Sequence, residues 1–189
     1  PLKENIINWK KKFNKINNRF KYINHPPHLS IFTKEIKKSE FNKINLNVIL
    51  KNIASHSSKI NLEFNKNIIF YNDELTNGNT LVISTKRNKE LMKFQKLIAK
   101  ELLIFSNINK NKIFKNSLFT ESNDKYGNPF VGNHWSPHLT ICSVNNNLYS
   151  DVINEFLDQK VQYKYIFNRF SLWIINEDNH TKINDFAIK

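Results

Sequence analysis

Residues 24 to 32 read NHPPHLSIF, and residues 133 to 142 read NHWSPHLTIC. Each contains Pro-His-Leu, then a hydroxyl residue, then isoleucine. His28 is thereby paired with Ser30, and His138 with Thr140. A neutral imidazole accepts a proton near pH 7, and a protonated one donates it. Two hydroxyls can bond the non-bridging oxygens of a phosphate and stabilise charge on a pentacoordinate transition state. A base and an acid at opposite ends of one phosphorus is the arrangement of in-line phosphodiester cleavage, and it needs no metal.

Such chemistry needs elements that aim the side chains. In a strand, residues i and i+2 share a face. His28 and Ser30 therefore point one way, and Leu29 and Ile31 the other. The same holds for His138 and Thr140 against Leu139 and Ile141. The apolar pairs are anchors, and the polar pairs face an open surface. Pro26-Pro27 marks the start of a strand over 28–33, and a second such strand covers 138–143.

Elsewhere the periodicity predicts a helix over 1–20, with Leu2, Ile6, Trp9, Phe13, Ile16 and Phe20 on one face. Lys10, Lys11, Lys12 and Lys15 fall largely elsewhere on it. Ser39 caps a helix to about Ser57, with Phe41, Ile44, Val48 and Ile49 inward. Residues 59–72 read as a hairpin turning near Asn65–Asn67. Residues 79–85 read as a strand after the Asn77-Gly78 turn, and 88–106 as a helix. Residues 107–134 read as a long loop, 148–159 as a helix through Leu148, and 161–175 as at least one strand with 180–188 pairing back. The order is that of a duplicated α+β unit with a histidine-bearing strand in each half.

Two His-apolar-Ser/Thr-apolar tetrapeptides on such a scaffold resemble the 2H phosphoesterase superfamily, which includes the 2′-5′ RNA ligase-like proteins and cyclic phosphodiesterases. The likeness covers residues 21–189, with motifs at 28–31 and 138–141; the helix of residues 1–20 reads as an addition. It implies an α+β, bilobal fold of one domain, with antiparallel sheets lining a central cleft and helices outside. It implies a catalytic set of His28, Ser30, His138 and Thr140, no cofactor, and a nucleotide or RNA substrate. The activity implied is metal-independent cleavage of a 2′,3′-cyclic phosphate or a 2′,5′ linkage. Two alternatives stand beside it: a nuclease of cyclic oligonucleotide messengers of the phage counter-defence type, and a non-catalytic RNA- or nucleotide-binding module.

The substrate would be chosen by residues outside the motifs. Tyr126, Phe130 and Trp135 precede the second motif and offer faces for base stacking, or else pin their loop. Arg19, Arg87 and Arg169 are the only arginines, and their planar forks suit phosphate. Arg169 shares a strand face with Phe167 and Ser171. Cys142 and Phe32 continue the motif faces as walls. His25, His28, His134 and His138 form two imidazole clusters that would suit zinc, but no carboxylate accompanies either, so no metal is expected. His56 and His180 have no motif around them.

The net charge of +13 favours a polyanionic partner, although Lys, Asn, Ile and Phe are also the residues of A- and T-rich codons. No apolar run is long enough to span a membrane. PLKENIINWKKK lacks a signal-peptide core, and the lone Cys142 allows no internal disulfide. The expectation is a cytoplasmic monomer.

Overall fold

The computed structural model describes residues 1–41, 44–145, 151–176 and 179–189. Its helices are α1 (Leu2–Ile16), α2 (Lys38–Phe41), α3 (Leu46–Ser55), α4 (Lys89–Glu101), α5 (Ser117–Tyr126) and α6 (Asp151–Asp158). Its strands are β1 (Ile60–Asp73), β2 (Gly78–Thr85), β3 (His138–Val144), β4 (Tyr163–Phe167), β5 (Arg169–Asn176) and β6 (Asn179–Ala187). One sheet has the order β3-β2-β1-β4; β5 and β6 form a second, two-stranded sheet. The pairings β1–β2, β2–β3 and β5–β6 are all antiparallel. The fold is α+β, as the element order implied. Among the described residues, no helix is long and apolar enough to cross a membrane.

The chain divides into two compact units. The first comprises Pro1–Ser30, Leu62–Lys86 and Pro137–Tyr165. Its core sets α1 against β3 and α6. Ile6, Trp9 and Phe13 are buried at the spacing of one helical face. The Phe156 ring of α6 meets Trp9 and Phe13 edge-on, at centroid distances of 5.2 and 6.3 Å. The Trp9 indole N–H donates to Gln159 Oε1 at 2.8 Å, so its one polar atom is satisfied. Leu81, Val82 and Ile83 of β2 are wholly buried in succession, which marks β2 as covered on both faces.

The second unit comprises Ile31–Asn61, Arg87–Ser136 and Ile166–Lys189. Here α3 packs on β6 and on α4. Phe94 meets Phe167 and Phe170 edge-on at 5.2 and 5.3 Å, and Phe170 stacks on Phe186.

Several local expectations are corrected. The helix over 39–57 is two helices. Asn45 caps α3 by accepting from the Val48 amide, and this new start re-phases the buried face to Leu46, Leu50, Ile53 and Ala54. Val48 is 60% exposed as a result. Residues 60–73 are one strand, because the irregularity at Asn65 is a bulge and the chain reverses only before Gly78. The loop 107–134 contains α5, capped by Asn116 at its start and stopped by Gly127 at φ +73. α1 ends at Ile16, short of Phe20. The expected helical position Leu148 lies outside the described residues.

Candidate active site

The second motif forms as expected. The Thr85 amide donates to Pro137 O at 3.1 Å and closes the ladder at the start of β3. Along β3, His138 and Thr140 are half-buried, while Leu139 and Ile141 are buried. The apolar pair therefore anchors the strand and the polar pair stays accessible.

The first motif takes a different form. Residues 28–33 are not a strand; they make a single antiparallel bridge, Leu29 opposite Leu139. Pro26 and Pro27 have no N–H to give, so pairing cannot extend back past His28. β3 is the outer strand of its sheet, and this segment touches its open edge at one point. His28, Leu29 and Ser30, like the whole second motif, belong to the first unit.

That one bridge brings the two motif segments side by side. Continued in antiparallel register, a Leu29–Leu139 pair would set His28 opposite Thr140 and Ser30 opposite His138. Directly opposed residues share a face. In that register the four side chains would share the face away from the two leucines. The imidazoles would then lie on one diagonal and the hydroxyls on the other, with diagonal Cα atoms about 7–8 Å apart in such a ladder.

The surroundings tune this arrangement. His28 Nδ1 lies 2.7 Å from Pro26 O. A carbonyl only accepts, so Nδ1 carries the proton and Nε2 carries the lone pair of the neutral ring. The Phe70 ring stands edge-on to His138 at 4.9 Å. Ladder register places Phe70, Thr80, Val82 and Ser84 on that same face, with Ser84 opposite His138 and Lys66 opposite Ser84. Cys142 is buried, and burial pushes its thiol up to about 12. It is a packing residue and no nucleophile.

The other expected site residues lie in the second unit, apart from Arg19 and His25. Tyr126 and Trp135 are each only 8% exposed. Tyr126 belongs to a cluster with Ala99 and Val131. Both rings are thus buried in their own unit. Phe130 is half-buried against Phe119 at 5.1 Å. Arg169 is exposed, opposite Ala187 at the start of β5. Arg87 donates to Asn133 O at 3.2 Å and so ties down a loop. His25 lies edge-on to Tyr22, and His134 to Phe119. No group of three or more His, Cys, Asp or Glu placed to hold a metal occurs among the described residues.

One residue was missed. Lys10, expected on the polar side of α1, is 8% exposed. Its ammonium donates to Tyr22 O at 2.5 Å and Ile141 O at 2.7 Å, with Ile23 O at 3.5 Å. Desolvation pulls it down from the ordinary 10.5 to about 8. The signal was there: Lys10 is four residues after Ile6 and three before Phe13, a position on the apolar stripe itself.

With this geometry in hand, comparison with known proteins places the fold. No family model matches the chain, and no curated protein matches it in sequence. Solved structures do match, and two of them show the likeness. One is described as a phosphoesterase: TM-score 0.53, 10% identity, covering 96% of this chain and 92% of its own. The other is E. coli LigT complexed with NADP+: TM-score 0.54, 12% identity, covering 98% of this chain and 90% of its own. The fold is LigT-like over essentially the whole chain.

Proposed function

We propose that this chain is a phosphoesterase of the LigT type, cleaving nucleotide phosphodiesters with His28 and His138 as its base and acid. The observation that supports the reading is the bridge between Leu29 and Leu139, since that register, carried one residue each way, would set two imidazoles and two hydroxyls on one face. The LigT-like fold supports it, and the NADP+ bound in that neighbour accords with a nucleotide substrate.

His28 is the better base, because the Pro26 carbonyl fixes its Nδ1 proton and stabilises the imidazolium once formed. On a 2′,3′-cyclic phosphate, Nε2 of His28 takes a proton from water as the water oxygen bonds phosphorus. The bond from phosphorus to one ribose oxygen breaks, and His138 gives that oxygen a proton. On a 2′,5′ linkage, the neighbouring 3′-hydroxyl replaces water and the 5′-oxygen leaves, giving a cyclic phosphate. Ser30 and Thr140 donate to the non-bridging oxygens throughout. This sequence moves one proton in and one out and uses no metal.

The experiment is a substrate panel with EDTA present: 2′,3′-cyclic mononucleotides, 2′,5′-oligoadenylate, cyclic di- and trinucleotides, and RNA ending in a cyclic phosphate. Cleavage of at least one is expected. Tight, salt-dependent binding of nucleotides with no cleavage at any linkage would replace the enzyme with a binding module.

A further inference from the structure

We propose that Lys10 is a positioning residue for this site: its ammonium clamps the root of the segment carrying His28 onto the strand carrying Thr140. The inference rests on reading the two motifs as catalytic, but its structural part stands separately.

The path of the chain makes a clamp necessary. Lys21 pairs with Ser143, and Leu29 pairs with Leu139. Residues 22–28 must therefore be accommodated alongside residues 140–142 alone. The excess loops out from the sheet edge, and His28 rides on its far end. The loop-out begins at Tyr22, whose φ is +66. A side chain other than glycine adopts that left-handed conformation only when its surroundings enforce it.

Lys10 supplies the enforcement. Its Nζ bonds the carbonyl of Tyr22, the strained residue, and the carbonyl of Ile141, the residue after Thr140. One cation on α1 thus joins the departure point of the first motif segment to the second motif strand. The Leu29–Leu139 bridge holds the other end of the loop-out. Without the clamp, Tyr22 can relax and His28 can shift relative to His138, and a displacement of about 1 Å in a catalytic group costs on the order of 10²-fold.

A purely structural role explains the residue poorly. An apolar side chain would fill this position on the stripe without the desolvation that pulls the ammonium to about 8. The lysine is needed because two carbonyls on separate segments point at one spot.

The test compares wild type, Lys10→Met, which keeps the apolar stem but no donor, and Lys10→Arg, which keeps donors and charge. Steady-state kinetics are measured on a phosphodiester that the wild type cleaves, and amide hydrogen exchange on the native proteins. Lys10→Met should lower kcat by about 10²-fold with KM within about three-fold, since the clamp sets geometry. Its amides at residues 22–30 should exchange faster, with β1 and β2 unchanged. Lys10→Arg should recover part of both. A Lys10→Met protein with wild-type kcat, or with protection lost uniformly along the chain, would overturn the proposal. If Lys10→Met does not fold, Lys10→Gln carries the same readouts. If the wild type cleaves no phosphodiester, the functional reading fails, and the exchange comparison alone decides whether Lys10 clamps residues 22–30.

Discussion

Titrating Lys10 gives a stability signature whose sign and size follow from its surroundings. Burial is the main cause that lowers its pKa from 10.5 to about 8; the nearby Cys142 opposes it. Below about pH 8, folded and unfolded chains both hold the proton, and the folded state bears the desolvation cost. Between about pH 8 and 10.5 the folded chain has lost the proton while the unfolded chain keeps it, so stability rises with pH. The gain is complete above the unfolded value and lost as pH falls through the folded one. Its full size is about 3 kcal/mol at about 1.4 kcal/mol per decade, of which about 2 kcal/mol has accrued by about pH 9.5. The groups facing Lys10 do not blur the window: Cys142 is pushed up to about 12, and burial together with Asp73 raises Tyr22. The amine keeps donors for both short carbonyl contacts after losing its proton, so the clamp survives. The assay is urea unfolding followed by tryptophan fluorescence from about pH 7 to 9.5, for wild type and Lys10→Met. The wild-type stability minus that of the variant should rise by about 2 kcal/mol across this range. A flat difference, or one that falls with pH, would refute the reasoning.

Other expectations follow from named contacts. Thr140→Val keeps the branched shape and removes the hydroxyl, so kcat should fall about 10²- to 10³-fold with little change in melting temperature; unchanged kcat would remove Thr140 from the mechanism. Phe156→Ala empties a wholly buried site between Trp9 and Phe13, and urea unfolding should show a loss of about 3–5 kcal/mol. Cys142, buried and with its thiol pushed up to about 12, should resist maleimide in the native protein near neutral pH and react once urea unfolds it; rapid native labelling would show the thiol to be accessible.

The alternation of the second motif was legible in the sequence because it depends only on the strand period of two. His138 and Thr140 against Leu139 and Ile141 needed no tertiary information, and β3 follows that pattern. The form of the first motif was not legible. Whether residues 28–33 pair fully or touch at one bridge depends on how the excess chain after Lys21 is accommodated, which no local pattern records. Lys10 escaped notice because charge was allowed to outweigh position; its acceptors at Tyr22 and Ile141 are set by the fold. Tyr126 and Trp135 pose the opposite problem. Aromatics beside a motif read equally as stackers or as packing, and only burial decides between them.

The most direct test of the central claim is cleavage by wild type, His28→Ala and His138→Ala, in EDTA, of whichever phosphodiester in the panel the wild type turns over. Two imidazoles acting as base and acid predict that each variant loses at least about 10²-fold in kcat while its circular dichroism stays that of the wild type. Wild-type rates from either folded variant, or turnover by the native protein that EDTA abolishes, would contradict the account.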